Sequence, residues 1–193
     1  MRSDMIRLIV VVAASCLTMS GAKAGFQVID NGGFETGDFT GWTRSGNSGS
    51  TSVDAAFAHT GTFGAKLGPV GSDGFLSQNV TGLTAGNSYD LTFFLQYNGS
   101  GLNDFSLVVD GVTLFSVVNG PTTPYTSITR TFTATSPTAG VTFGFRQDPS
   151  FHGLDDVSIS GGTPSVATPL PPTLLAGFLG MGLLAGVRRF RRA

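Results

Sequence analysis

Ser88–Tyr97 reads Ser-Tyr-Asp-Leu-Thr-Phe-Phe-Leu-Gln-Tyr, and its alternation decides how the rest of the chain is read. Tyr89, Leu91, Phe93, Leu95 and Tyr97 occupy every second position, with Asp90, Thr92 and Gln96 between them. A strand turns successive side chains to opposite faces, so five large apolar groups share one side. Phe94 interrupts the polar set, and that second face is therefore not wholly wet.

The same period of two recurs on either side. Phe105, Leu107 and Val109 alternate with smaller or polar residues, and Asp110-Gly111 is a two-residue hairpin signal leading into Val112–Val118, which predicts an antiparallel pair. Ser127–Ala134 sets Ile128, Arg130, Phe132 and Ala134 against threonines, Val141, Phe143 and Phe145 form another one-sided run, and Gly153–Ser160 is the last. With Phe26–Ile29, Thr51–Val53, Ala65–Leu67 and Phe75–Val80 this makes roughly ten short strands, with turns about every 8 to 12 residues. From Gly25 onward no long window carries a helical period of 3.6. The predicted fold class is all-β, a jelly-roll β-sandwich of two antiparallel sheets spanning residues 25–160. Fourteen of the chain's sixteen phenylalanines lie within it and supply its core, and the lone cysteine, Cys16, lies outside it, so no disulfide holds the body together.

The two ends read differently. Residues 1–24 combine Arg2 and Arg7, an apolar run from Leu8 to Leu17, and Ala22-Lys23-Ala24 ahead of Gly25, the pattern of a secretion signal cut by signal peptidase. A competing reading takes Ala13-Ala14-Ser15-Cys16 as a lipoprotein box with Cys16 acylated; the Ala-Lys-Ala site is the better formed. Residues 161–168 form a Gly- and Pro-containing linker. Residues 169–193 begin with Pro169-Leu170-Pro171-Pro172, continue uncharged through Val187 and finish in Arg188-Arg189-Phe190-Arg191-Arg192. The 19 uncharged residues 169–187 approach the length of a transmembrane helix, so a membrane contact is expected through residues 170–187, with the arginines cytoplasmic.

This tail of proline motif, short apolar helix and arginine-rich end resembles the PEP-CTERM sorting signal of bacterial exported proteins. The Pro-Glu-Pro of that signal is absent, and Thr168-Pro169-Leu170-Pro171-Pro172 is more similar to the variant Val-Pro-Leu-Pro-Ala. The resemblance implies handling by an exosortase-type protease, transient membrane anchoring and delivery to the cell surface or extracellular matrix.

Charge narrows the partners. The chain carries a formal net charge of −1, but residues 25–160 hold four basic residues against eleven acids, a net of −7, while the basic residues cluster at the ends. Such a body repels phosphate backbones, which excludes nucleic acid as a partner. Calcium and neutral sugars suit it better.

The stretch Asn31-Gly32-Gly33-Phe34-Glu35 with Gly41-Trp42, the middle strands around Leu76–Val80 and Leu83–Tyr89, and the closing Leu154-Asp155-Asp156-Val157-Ser158-Ile159 resemble, in order and spacing, jelly-roll domains of the galactose-binding type, including calcium-containing carbohydrate-binding modules. The resemblance implies that Glu35 and Asp155 meet at one end of the sandwich around a structural calcium, with Asn31 and loop carbonyls near Gly61–Ala65 completing an oxygen shell. Asp155 shares the parity of Val157 and Ile159, so it is expected on the core side, where a cation would relieve an otherwise costly carboxylate. The alternative is a hydrogen-bonded turn acid beside a solvated Asp156.

Sugar binding needs an aromatic platform and polar groups that grip hydroxyls. Trp42, Tyr97, Tyr125 and Phe151 are candidate platforms, with Gln96, Asn98, Asn103, Arg146 and Gln147 as polar partners. Catalysis is not expected: His59 and His152 stand singly, His152 reading as an exposed loop residue, and Asp155 and Asp156, as neighbours on a strand, should point to opposite faces and cannot flank one bond. The expected function is that of a non-catalytic, carbohydrate-associated module at the cell surface working with extracellular polysaccharide, or else a structural surface protein with no specific ligand.

Overall fold

The computed structural model describes residues 29–164. The expected signal segment 1–24, the sorting segment 169–193 and its membrane stretch 170–187 lie outside the described residues. Ten strands follow in order: β1 (Thr43–Gly46), β2 (Thr51–Asp54), β3 (Gly64–Leu67), β4 (Gly74–Thr81), β5 (Asn87–Tyr97), β6 (Leu102–Val109), β7 (Val112–Val118), β8 (Thr123–Thr133), β9 (Thr138–Asp148) and β10 (His152–Pro164), with a 3-10 turn at Ala55–Phe57. They form two five-stranded sheets, β1-β4-β9-β6-β7 (sheet A) and β2-β3-β10-β5-β8 (sheet B), with every pairing antiparallel. Among the described residues no helix is long and apolar enough to cross a membrane.

β5 behaves as its alternation demands. Tyr89, Leu91, Phe93, Leu95 and Tyr97 are all buried, and Phe93 stacks against Phe105 of β6 at 5.9 Å and meets Phe143 of β9 edge-on at 5.2 Å. Facing aromatic rows from two sheets are what close the sandwich, each buried phenylalanine contributing roughly 1.5–3 kcal/mol. Asp110 (φ 48°) and Gly111 (φ 80°) take the left-handed conformations of a tight hairpin, which join β6 to β7.

The opening stretch is packing, not a separate rim. Phe34 is fully buried, Trp42 lies between Phe34 and Phe143 at 5.9 and 6.0 Å, and the Trp42 indole donates to the Asn31 carbonyl at 3.1 Å. Gln78, on the inner face of β4, accepts from Asp30 N–H and donates to the Asp30 and Gly41 carbonyls, which pins this stretch to sheet A. On the other side Val157 N–H donates to Gly32 O at 2.9 Å, so the same stretch is also tied to β10 in sheet B.

Four expectations need correction. β1 carries no apolar alternation, being exposed throughout, and was not legible as a strand; of the expected Phe26–Ile29 strand only Ile29 is described, and it lies in a bend. β10 runs on to Pro164, pairing Thr163 with Ser88 and Pro164 with Asn87, so the strand takes up the first four residues of the expected linker; 165–168 lie outside the described residues. His152 is not an exposed loop residue but fully buried, accepting from Asn98 N–H at Nδ1 and bonded to the Arg146 carbonyl at Nε2. Burial lowers its pKa to about 4, which keeps it neutral.

The fourth concerns Asp155. Leu154 pairs with inward-facing Leu95 and Asp155 with outward-facing Phe94, yet Ser158 is already opposite Thr92, so β10 contains one residue more than its partner. Asp156, at φ 49°, is that residue, a β-bulge that shifts the parity. Asp155 therefore belongs to the outer face of sheet B, not to the face of Val157 and Ile159, and it is buried by the segment that crosses over it.

Candidate functional site

That crossing segment, residues 59–63, is held by both expected acids. Asp155 Oδ2 accepts from His59 N–H at 2.7 Å and Thr60 N–H at 3.2 Å, and its Oδ1 from Asp156 N–H at 2.8 Å. Glu35 accepts from Thr62 N–H and Phe63 N–H, each at 3.0 Å. Burial and the neighbouring Asp156 charge push the Asp155 carboxyl above the usual carboxylate range, against the three N–H donors that lower it. Asp156 is not a solvated edge charge: it meets His59 Nδ1 at 2.7 Å and accepts from the Thr60 hydroxyl at 2.6 Å, while the His59 ring stacks on Phe94 at 3.9 Å.

The bulge also overturns the opposite-faces expectation for the two aspartates. Asp155 Oδ1 and Asp156 Oδ1 both come within 3.8 Å of where a Cβ on Gly33 would sit, beside Glu35 Cγ at 3.7 Å. Three carboxylates and the loop's carbonyls are an all-oxygen donor set, the kind a hard cation takes. Asn31 does not join it, because its amide donates to the Asp38 and Thr40 carbonyls and accepts from Thr36 N–H. Among the described residues no group of three or more His, Cys, Asp or Glu side chains is gathered closely enough to hold a metal ion, and the clasp closes through hydrogen bonds to backbone N–H groups.

The expected sugar-contacting residues fall in four separate places. Trp42 and Tyr97 are in the core; Tyr97 stacks on His152 at 4.4 Å and its hydroxyl bonds to Asn103, so neither offers a ring to a ligand. Gln96 and Tyr125 lie together on the outer face of sheet B, where Tyr125 donates to the Phe57 carbonyl at 2.5 Å and burial and the nearby Asp155 and Asp156 raise its pKa strongly. Phe151 on that side is capped by Lys66, whose Nζ lies 4.1 Å from the ring centroid. Of the polar set, Asn103 and Gln147 join His152 in the buried end of the sandwich, with the Gln147 Oε1 unpartnered.

Arg146 alone reaches the outer face of sheet A, and that face carries the features a sugar requires. Phe75 is 38% exposed, and its ring bridges two glycines: a Cβ on Gly144 would lie 3.2 Å from Phe75 Cε1, and one on Gly46 3.0 Å from Cε2. Bare backbone on both sides lets the ring lie along the sheet. Cross-strand pairing sets Ser106 opposite Gly144, Asp104 opposite Arg146, and Ser77 opposite Thr142 on the same face. Beyond Ser77, a polar groove of about 330 Å³ is lined by Thr43, Ser77, Asn79, Gly140 and Thr142. Leu102 and Val118, 58% and 66% exposed, share this outer parity, so three of the five exposed large hydrophobics among the described residues stand on one sheet face. Arg146 donates through Nε to Asp148 at 3.1 Å, which holds the Asp148 carboxyl below its ordinary range. Asp104 moves the other way: burial, then Asp73 and Asp148, raise it, and Arg146 offsets this in part.

Phe75 was missed as a site residue although its signal was present. Leu76, Gln78 and Val80 occupy the inner parity of β4, which leaves Phe75 as an aromatic among the outward Ser77 and Asn79.

Residues 27–150 match the family model described as a carbohydrate binding domain. No curated protein matches the chain. Among solved structures, TmCBM61 in complex with beta-1,4-galactotriose is similar over 70% of this chain and 99% of its own, at 22% identity and a TM-score of 0.55. The CBM22-1 xylan-binding domain of Xyn10C from Paenibacillus barcinonensis is similar over 75% of this chain and 99% of its own, at 18% identity and a TM-score of 0.54. A family 16 carbohydrate-binding module gives 20% identity over 68% of this chain and 98% of its own, with a TM-score of 0.50. At these identities the likeness speaks to the fold, the two-sheet sandwich.

Proposed function

Since the chain belongs to the carbohydrate binding domain family, we propose that it binds polysaccharide without acting on it, and that the outer face of sheet A is where the glycan lies. The observation that carries this reading is the Phe75 ring, exposed and bedded along the sheet between two glycines. An aromatic face packs against the C–H surface of a sugar ring, and Ser77, Ser106, Thr142 and Arg146 surround it with donors and acceptors for hydroxyls. Catalysis is not part of the proposal: Asp155 is buried under its three N–H donors, and Asp156 is engaged by His59 and Thr60.

The same proposal includes export and surface delivery. Residues 1–24 would be removed by signal peptidase, and the tail 169–193 would be retained in the membrane and then processed by an exosortase-type protease, bringing the domain to the cell surface or extracellular matrix. A structural calcium belongs to it as well. Glu35 and Asp155 would hold the ion, with Asp156 alongside, once the three carboxylates draw closer than they stand among the described residues, and its charge would offset the repulsion between the adjacent aspartates.

A glycan array and affinity electrophoresis on the purified protein test the central claim. Retention on at least one polysaccharide, lost in Phe75→Ala with the fold intact, is the expected result. Binding to no glycan, the producing cell's own polymer included, would leave a structural building block instead.

A further inference from the structure

The glycan face has a charge of its own. Asp104, Asp73 and Asp148 surround a single cation, Arg146, and each of the three bears on that guanidinium electrostatically. Arg146 is spent on one of them: both its Nε and an Nη donate to Asp148 Oδ2, while Asp148 Oδ1 accepts from Gly71 N–H. The carboxylates of Asp104 and Asp73 have no hydrogen-bond partner among the described residues. Asp104 is half-buried on the outer parity of β6, one strand beyond the Gly144 on which the Phe75 ring rests. It is two residues from Ser106 along β6, about 7 Å at the rise of a strand, and Ser106 is the group that faces Phe75 across Gly144. Exposed Leu102 and Val118 flank it, and low-dielectric neighbours strengthen a carboxylate's attraction for a cation.

A polymer of uronic acids or phosphorylated sugars would bring like charge to this face, and a neutral polymer would offer the Asp104 carboxylate hydroxyl donors but no counter-charge, where an ammonium would supply both. We propose that the ligand is an amino-sugar polysaccharide carrying free ammonium groups, with the platform of Phe75 taking one sugar ring and the Asp104 carboxylate pairing with the ammonium of the next. This rests on the outer face of sheet A being the glycan site. Asp73 adds longer-range attraction, and Arg146 and Asp148 fix the edge of the face.

The test measures binding of the purified protein to length-matched β-1,4-linked glucosamine oligomers, N-acetylated and de-N-acetylated, and to oligogalacturonate, at low and at physiological salt. The de-N-acetylated oligomer should bind about tenfold tighter than the acetylated one at low salt, the gap should narrow as salt is raised, and oligogalacturonate should not bind. Asp104→Asn, with an unchanged melting curve, should erase the gap and leave the weaker affinity for the acetylated oligomer in place; Asp73→Asn should narrow it. Equal binding of the two glucosamine oligomers, no binding of the de-N-acetylated one, or preference for the uronate overturns the inference. Phe75→Ala separates the two levels. If it abolishes binding that shows no charge preference, only the inference on charge fails; if it leaves all binding untouched, the sheet A site itself fails.

Discussion

Glu35 and Asp155 hold opposite ends of one five-residue loop, Glu35 taking the N–H groups of Thr62 and Phe63 and Asp155 those of His59 and Thr60. One acid comes from the opening stretch and the other from the last strand. The loop they share crosses the outer face of sheet B, so the first and last parts of the domain are joined through a third segment. Fixing a loop at both ends in this way limits its freedom, which is the stabilising role a metal could reinforce.

Chelation checks that reinforcement. A chelator should lower the melting temperature of the purified protein, and Glu35→Ala should remove the sensitivity. The substitution itself should cost on the order of 1 kcal/mol, because Glu35 is exposed and water can replace it at the two N–H groups. A melting curve indifferent to chelator defeats the calcium proposal and leaves the hydrogen bonds as the whole of the clasp.

Phe75→Ala should lower glycan affinity about tenfold or more while costing roughly 1–2 kcal/mol of stability for the part of the ring bedded on the sheet. Titration calorimetry alongside a urea curve reads both. Trp42→Ala provides the contrast: it empties a core position between Phe34 and Phe143 and should cost about 3–5 kcal/mol.

Gly144→Ala should weaken binding without removing any group that touches the sugar. The added methyl would stand 3.2 Å from Phe75 Cε1 and 2.7 Å from Ser106 Oγ, so the ring must lift from the sheet. Affinity should fall more in Gly144→Ala than in Ser77→Ala, compared at equal folded fraction. Equal affinities would show that the bed of the ring is unimportant.

His152 makes stability depend on pH. Unfolded, it takes up a proton near 6.5, but folded only near 4, so the unfolded state binds more protons between these values. Its contribution is full above about pH 6.5 and is lost as pH falls toward 4, by up to about 3 kcal/mol. The raised Asp155 acts in the opposite sense, its penalty appearing as pH rises through the folded pKa. Urea unfolding at pH 7 and pH 4.5 should show a shallower loss in His152→Gln than in the parent; parallel slopes would contradict this.

Nine of the ten strands were legible in the sequence, because apolar alternation, β-forming residues and turn signals are local properties. β1 was not, since Thr43–Gly46 has no apolar member and is a strand only because Ser77 through Gly74 of β4 lie beside it. That Glu35 and Asp155 belong to one end of the sandwich followed from the resemblance to calcium-containing modules, but the face on which Asp155 lies did not. Counting parity along β10 fails at Asp156, where a bulge inserts one residue, and a bulge is set by what the partner strand demands.

The aromatic residues divide in the same way. Phe94 and Phe75 each interrupt the polar side of an alternating strand, and nothing within either strand distinguishes them. Tertiary structure does: the 59–63 loop, drawn down by Glu35 and Asp155, brings the His59 ring to 3.9 Å over Phe94, while among the described residues no such segment passes over Phe75, which is 38% exposed. The sequence by itself determined the sandwich, because alternation acts locally, while the resemblance to calcium-containing modules is what pointed to Glu35 and Asp155. Which aromatic is left for a ligand was decided only by what the folded chain lays across each sheet, a contact between segments far apart in sequence.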